Sequence, residues 1–172
     1  MWLRRGPYSR WDAFDDGAYD AVIANHMLYH VPDAAKALSE MSRVLKPAGV
    51  LYTATNGRPD GPTLADWRAK AGVRPDANRS EVANARHFGL ESGLQQLQKV
   101  FAQVEMRRYE DALHVTEVQP LLDYVQSLAY NLEEEELYRF RGVVEEEIER
   151  QGYLHIAKAA GLFVASAGSS VT

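Results

Sequence analysis

The first part of the chain alternates between short apolar runs and a helical apolar stripe. Residues 19–25 are an apolar run that ends in a polar residue, which predicts a buried parallel strand with its carboxyl end toward a site. Asp33 is placed to cap a helix whose apolar residues recur at helical spacing from Ala34 to Leu45. Residues 50–55 form the next apolar run. Strand, helix and strand in this order predict a βαβ unit with parallel strands and a right-handed crossover.

The link between that helix and the second strand is predicted to be a turn. Lys46-Pro47-Ala48-Gly49 contains the two residue types that most often stop a helix. A type II turn would place Ala48 at positive φ, which costs an alanine on the order of 1 kcal/mol. We therefore expect a type I turn with Gly49 at its fourth position.

The rest of the chain predicts a mixed order of helices and strands. Residues 56–88 are rich in glycine, proline and arginine, which predicts a long irregular connection with one helix near 63–71. Further helices are predicted at 90–101, 118–131 and 133–150, and further strands at 104–109, extending toward 115, and at 161–165. Because we find no repeat and no linker, we expect residues 1–172 to form one α/β domain.

Composition narrows the class of protein. Apolar residues make up 46% of the 172 and charged residues 25%, as in ordinary globular proteins. The absence of cysteine excludes disulfides, thiolate catalysis and cysteine-ligated metal. No apolar run approaches the roughly 18–20 residues of a membrane span, and the N-terminus does not resemble a signal peptide. A cytoplasmic protein without a membrane partner is expected.

The net charge of −5 is concentrated in one segment. Residues 117–151 hold ten acidic side chains and three arginines, so that segment carries −7 and the rest of the chain +2. Such a face repels nucleic acid, and no basic stripe offsets it elsewhere, so nucleic acid is not expected as a partner. The segment is interpreted as a solvated helix surface, with a lid that excludes anionic ligands as the alternative.

Two segments carry a family resemblance. Residues 14–33 read FDDGAYDAVIANHMLYHVPD and residues 43–51 read RVLKPAGVL. Both are similar to the fourth-strand and fifth-strand regions of the class I S-adenosylmethionine (SAM)-dependent methyltransferases of the type 11 group. The resemblance covers residues 14–57 densely and identifies the chain with the C-terminal half of that family. Ala48 stands where the family has glycine.

The resemblance implies a partial Rossmann-like α/β sheet. Its strands would correspond to the family's strands four, five, seven and six in spatial order, with helices on its faces. The acidic residues 118–151 would form a helical cap insertion over the strand ends. The strand at residues 20–25 would then form an open edge, which invites pairing with another chain. We expect a homodimer through this edge, with residues 2–11 folding over it as the competing solution.

The resemblance also bears on the cofactor. In the family a glycine-rich loop and an acidic residue that bind SAM precede the region matched here, and no Gly-x-Gly occurs in these 172 residues. Residues 1–13 diverge from the family, with Tyr8 at a position that is acidic there. We therefore expect weak or absent SAM binding by residues 1–172.

Five residues match family positions that line the SAM or substrate site. Phe14 matches a position near the adenine, and Asn25 and His26 match the strand end that faces the cofactor. Tyr29 and His30 follow on the substrate side, where His30 is the candidate general base. The alternatives are a strand-end cap for Asn25, ordinary packing for His26 and Tyr29, and hydrogen bonding to the backbone entering the helix for His30.

Metal binding is not predicted. His26 and His30 are four residues apart, a spacing that makes a zinc pair only on a helix with an adjacent glutamate, which the sequence lacks. His87, His114 and His155 are scattered and receive no role.

Two functions remain open from the sequence. The first is a SAM-dependent methyltransferase with a small-molecule acceptor, lacking the N-terminal SAM-binding half in this chain and inactive by itself. The second is a non-catalytic interaction module that associates through its open sheet edge.

Overall fold

The computed structural model describes residues 14–73, 87–128 and 132–166. Its elements in chain order are β1 (Tyr19–Ile23), a 3₁₀ helix (Leu28–His30), α1 (Ala34–Val44), β2 (Leu45–Asn56), α2 (Leu64–Lys70), α3 (Leu90–Leu97), β3 (Gln103–Val115), α4 (Val118–Ser127), α5 (Glu134–Gln151) and β4 (Leu154–Ser166). The strands form a four-stranded sheet in the order β1-β2-β4-β3. This confirms the predicted α/β class and the predicted order of strands.

The chain divides into two compact units, with the division falling within β3 and β4. The described residues of the first unit lie in 14–57, 87–108 and 160–166. Those of the second lie in 58–73, 109–128 and 132–159.

The first unit contains the predicted βαβ arrangement. β1 and β2 are parallel, with Ala21 opposite Val50 and Ile23 opposite Tyr52. Between them, α1 begins at the predicted cap, where the Asp33 carboxylate accepts a hydrogen bond from the Lys36 N–H at 2.9 Å. β2 and β4 are antiparallel.

The predicted turn at residues 46–49 is wrong, because β2 starts at Leu45 and runs through these residues. Tyr19 pairs with Leu45 while Ala21 pairs with Val50, so β2 takes up its extra residues as a bulge. At Gly49 a Cβ atom would lie 3.0 Å from the Tyr19 carbonyl oxygen. The proline and glycine therefore serve a bulge and a close backbone approach, which produce the same sequence signal as a turn.

One hydrophobic core belongs to the first unit. It joins the apolar stripe of α1, residues of α3 and its flanks, and one face of β2 and β4. Its largest fully buried side chains are Phe88, Phe163, Leu28, Leu38, Leu51, Leu90 and Leu97. The alternate residues of the strands, whose side chains lie on the other face of the sheet, are more exposed to solvent. Ile23 is 67% exposed and Tyr52 is 37% exposed. Among the described residues of this unit, the helices thus pack on one sheet face and leave apolar side chains on the other.

The second unit packs α2, α4 and α5 around a separate core. This core includes Trp67, Leu122, Phe140 and Leu154. The acidic run opens α5, where the Glu133 N–H donates to the Glu136 carboxylate at 3.2 Å and Glu134 to Glu136 occupy the first turn. Negative side chains at a helix N-terminus interact favourably with its partial positive charge. The helices predicted in the acidic segment are confirmed, and its function as a cap stays a prediction.

Candidate functional site

The candidate site begins where β1 ends. Pairing with β2 continues past the strand, because the Ala24 N–H donates to the Tyr52 carbonyl at 2.9 Å and the His26 N–H donates to the Ala54 carbonyl at 2.8 Å. The carboxyl ends of parallel strands are where ligands bind in open α/β sheets. The backbone from Ala24 to His26 is thus fixed at the position where a ligand is expected.

A buried hydroxyl on a residue outside the predicted site reinforces this strand end. The Thr53 hydroxyl is fully buried and donates to the Ala24 carbonyl at 2.7 Å. The Thr55 hydroxyl, also buried, donates to the Phe88 carbonyl at 2.7 Å. The sequence did carry a signal for these contacts, because two threonines stand at alternate positions of an apolar strand. Buried hydroxyls are nearly always hydrogen-bonded, so each threonine could have been expected to bind a neighbouring element.

Asn25 uses its side-chain oxygen within the fold. Its Oδ1 atom accepts a hydrogen bond from the Ala54 N–H at 3.2 Å, which is the strand-end cap considered as the alternative. An asparagine amide also carries two N–H donors, which would face a ligand at this end of the strand with a fixed orientation. The structural contact and a ligand contact are therefore compatible.

His26 adopts a left-handed backbone conformation with φ at 50°. It is the one residue other than glycine with positive φ in the described parts of the chain. Such a conformation costs free energy and is concentrated at functional sites and tight turns. Here it redirects the chain from the end of β1 into the 3₁₀ helix, and the His26 side chain is exposed.

Tyr29 and His30 lie side by side on the 3₁₀ helix. Leu28 is buried in the first core, and Tyr29 is half-buried against that core. The ring centroids of Tyr29 and His30 are 4.5 Å apart and the planes are tilted by 59°. His30 is exposed, and its backbone N–H donates to the Met27 carbonyl at 2.9 Å. The arrangement presents an aromatic ring and an imidazole next to the end of β1.

Phe14 lies at the other end of β1. Its ring packs edge-to-face on Tyr19, the first residue of the strand, at 6.0 Å between centroids. Its carbonyl accepts a hydrogen bond from Arg43 at 2.9 Å. Since a strand rises about 3.3 Å per residue, Tyr19 and Asn25 are about 20 Å apart along the strand. The structure thus brings Asn25, His26, Tyr29 and His30 into one segment and places Phe14 apart from them.

Arg43 holds the turn before β1 in place. Its guanidinium pairs with the carboxylates of Asp16 and Glu40. The hydrogen bond with Asp16 has the larger effect and that with Glu40 the smaller, and both raise the pKa of Arg43 above its ordinary value. The Arg43 carbonyl also accepts a hydrogen bond from the Gly17 N–H at 2.9 Å. Arg43 is the first residue of the RVLKPAGVL segment that resembles the family. Its contacts explain its presence there by a structural role.

The described residues contain neither a metal-binding cluster nor a membrane-spanning helix. In residues 14–73, 87–128 and 132–166, no group of three or more histidine or acidic side chains could hold a metal ion. Over the same residues, no helix is both long and apolar enough to cross a membrane.

The sequence of the chain matches known methyltransferases over its first part. The methyltransferase domain family matches residues 3–53. The demethylmenaquinone methyltransferase of Lactiplantibacillus plantarum is 39% identical over 64 residues, which are 37% of this chain and 27% of that enzyme. The enzyme of the same name from Staphylococcus epidermidis is 43% identical over 49 residues, 28% of this chain and 20% of the relative. The chain therefore spans between 20% and 27% of the length of these curated relatives.

Solved structures match the fold more widely. A protein assigned as a methyltransferase from Bacillus halodurans superimposes with a TM-score of 0.55 and 17% identity, covering 90% of this chain and 72% of that one. A protein from Anabaena variabilis, assigned as a methyltransferase of an antibiotic biosynthesis pathway, gives 0.55 and 14%, covering 90% and 69%. At these identities the likeness shows the fold. Over residues 3–53 the chain is therefore similar to the methyltransferase domain family, and its fold is like that of proteins assigned as methyltransferases.

Proposed function

We propose that this chain belongs to a SAM-dependent methyltransferase that acts on a small molecule, and that it contributes residues both to the methionine end of the SAM site and to the acceptor site. The observation that carries the proposal is the convergence of Asn25, His26, Tyr29 and His30 at the carboxyl end of β1. Methyl transfer is an in-line displacement at a sulfonium carbon, so orientation and exclusion of water supply much of the catalysis.

The residues present suit the methionine end of SAM. Asn25 is held by Ala54 and offers amide N–H donors to a carboxylate. Tyr29 offers an aromatic ring, which attracts a cation such as a sulfonium. When bound, SAM supplies the electrophilic methyl group. His30 would accept the proton of the acceptor nucleophile through an imidazole nitrogen.

We further propose that residues 1–172 by themselves hold SAM weakly. A glycine-rich loop and a ribose-binding carboxylate would add three or four hydrogen bonds, each worth about 0.5–1.5 kcal/mol. Their loss moves a micromolar site toward about millimolar affinity. Calorimetry of residues 1–172 with SAM tests this, and binding in the low micromolar range would overturn it.

The transfer step is tested separately at saturating SAM. The first assay measures transfer of a labelled methyl group from SAM to a demethylmenaquinone-type quinone. This acceptor is chosen because the curated relatives are named for it. We expect His30→Gln to lower the rate by about 10²-fold or more if His30 is the base. His87→Gln is the control variant, because it makes the same histidine-to-glutamine change at a residue that is not among the four of the proposed site. Equal rates for the two variants would remove His30 from the proposal.

A non-catalytic interaction module is the second candidate. It is favoured by Ile23, which is 67% exposed on a strand that lies at the edge of the described sheet. Such an edge tends to pair with another chain. Association without SAM binding or methyl transfer would favour this candidate over the enzyme.

A further inference from the structure

Two histidines that are distant in sequence lie together in the second unit. The ring centroids of His114, near the end of β3, and His155, near the start of β4, are 5.3 Å apart and the planes are tilted by 46°. β3 and β4 are neighbours in the sheet. Their residues meet in antiparallel order, since Gln103 contacts Ser166 at the other end. We propose that His114 and His155 form a cross-strand binding site for a divalent transition-metal ion, a site independent of the proposed methyltransferase function.

Strand alternation places this pair away from the second core. Leu154 and Ile156 are buried in that core, so His155, which lies between them, is on the opposite face of β4. His155 is half-buried and His114 is exposed. An ion can therefore reach the pair from solvent without any movement of the core.

The backbone around the pair is fixed by specific contacts. The Trp67 indole N–H donates to the His155 carbonyl at 2.7 Å, and Trp67 itself is buried in the second core. The Ala157 N–H donates to the Pro62 carbonyl at 2.8 Å. A site carried on strands whose backbone is held in this way is better organised for binding than one on a loop.

Tyr153 restricts the orientation of His114. The two ring centroids are 4.4 Å apart and the planes are tilted by 38°, so the phenol ring packs against the imidazole. This contact limits the rotation of the His114 side chain, whose ring also lies next to that of His155. Two of the scattered histidines are thereby held close to each other before any ion binds.

The geometry and ligand type define which ions fit. A shared ion would lie about 2.0–2.1 Å from one nitrogen of each imidazole, and a centroid separation of 5.3 Å is within the reach of two imidazoles that share one ion. Imidazole favours zinc, copper and nickel over magnesium and calcium. Since no third histidine or acidic ligand joins the pair among the described residues, water would complete the coordination. The site is therefore of an open and exchangeable kind.

Calorimetric titration of untagged residues 1–172 with zinc and nickel chloride tests the proposal. We expect one ion per chain, with His155→Gln and His114→Gln each lowering the affinity at least tenfold. His87→Gln should bind as the unmodified chain does. Equal affinity of the unmodified chain and both site variants would overturn the site, as would the absence of binding by the unmodified chain.

Copper(II) gives a second readout that does not depend on affinity. Electron paramagnetic resonance of the copper-loaded chain should show nitrogen coupling from two imidazoles, reduced to one in His114→Gln. Circular dichroism of each variant establishes that the fold is retained. A spectrum unchanged in folded His114→Gln would show that copper binds elsewhere and would contradict the proposal.

Discussion

The side-chain oxygen of Asn25 accepts a hydrogen bond from the backbone N–H of Ala54 at 3.2 Å. This contact closes the end of β1 against β2 and fixes the direction of the Asn25 amide. Asn25→Ala removes the acceptor, so we expect the free energy of unfolding to fall by about 0.5–1.5 kcal/mol, toward the lower limit because the contact is exposed. Urea unfolding measures this change.

Asn25→Asp separates the structural contact from a ligand contact. The aspartate keeps an acceptor for the Ala54 N–H, so stability should stay closer to that of the unmodified chain than in Asn25→Ala. It also removes the amide donors and adds a negative charge, which should weaken binding of the SAM carboxylate at millimolar SAM. Unchanged SAM binding in this variant would exclude Asn25 as a carboxylate contact.

The packing of Leu90 against Gly161 gives a second prediction. A Cβ atom at Gly161 would lie 2.7 Å from Leu90 Cδ2 and 2.8 Å from the Arg107 carbonyl oxygen. The leucine can rotate, but the backbone oxygen belongs to a neighbouring strand and cannot move freely. We expect Gly161→Ala to destabilise the chain by about 1–3 kcal/mol in urea unfolding.

Gly142 provides the matched control for Gly161. It lies inside α5, and apart from the neighbouring backbone of that helix no atom is within 4 Å of the position that a Cβ would take. Gly142→Ala should therefore stabilise the chain by about 0.5–1 kcal/mol, because alanine is the better helix former. A similar loss in both alanine variants would refute the packing explanation for Gly161.

Local signals explain why much of the fold was predictable. The Asp33 cap and the apolar stripe of α1 depend on neighbouring residues, and the structure retains both. The bulge at residues 46–49 was not predictable, because Pro47 and Gly49 serve a turn and a bulge equally well. His114 and His155 meet only through the pairing of strands separated by α4 and α5. The sequence carries no local sign of such pairing.

The same contrast holds for the candidate site. The four residues after β1 are close in sequence, namely Asn25, His26, Tyr29 and His30. Their proximity in the structure could be predicted once the end of the strand was predicted correctly. The contact of Thr53 with Ala24 joins two strands and required the register between them. Phe14 lies apart from the other four because the turn before β1 is held by Arg43 at the amino end of the strand.

The pKa of Asp66, in the capping box of α2, leads to a prediction of how stability changes in acid. Hydrogen bonds from the Thr63 hydroxyl and then the Thr63 N–H hold the pKa of the Asp66 carboxyl below its ordinary value of about 3.9. A group whose pKa is lower in the folded state stabilises the fold above its unfolded pKa and loses that contribution as the pH falls through the folded pKa. The unmodified chain should thus be more stable than Asp66→Asn near neutral pH, with the difference vanishing in acid.

Unfolding of both proteins at stepped pH measures that difference. Thr63→Ala is the control, because it removes the hydroxyl of the capping box and should return the Asp66 pKa toward its ordinary value. Nuclear magnetic resonance of the Asp66 carboxyl follows the same titration directly. An Asp66 that titrates at its ordinary pKa in the unmodified chain would contradict the prediction.

The two edges of the sheet differ in a way that predicts where the chain associates. β3 carries charged residues through most of 105–111, and such charges discourage pairing with another strand. β1 has one charge, Asp20, which is paired with Lys46 of β2 at 2.8 Å, and its last residue, Ile23, is 67% exposed. We expect association through β1 and a mass that rises with concentration from 19.3 kDa toward twice that value.

Ile23→Lys tests that edge with one substitution. A lysine on an edge strand opposes pairing, so this variant should remain a monomer in light scattering at concentrations where the unmodified chain forms dimers. Met106→Lys on β3 is the matched control, because Met106 is 39% exposed on the other edge and already lies between two charged residues. If both lysine variants and the unmodified chain give one monomeric mass, the dimer is wrong. Hydrogen exchange at residues 19–23 then shows whether another part of the chain protects the edge.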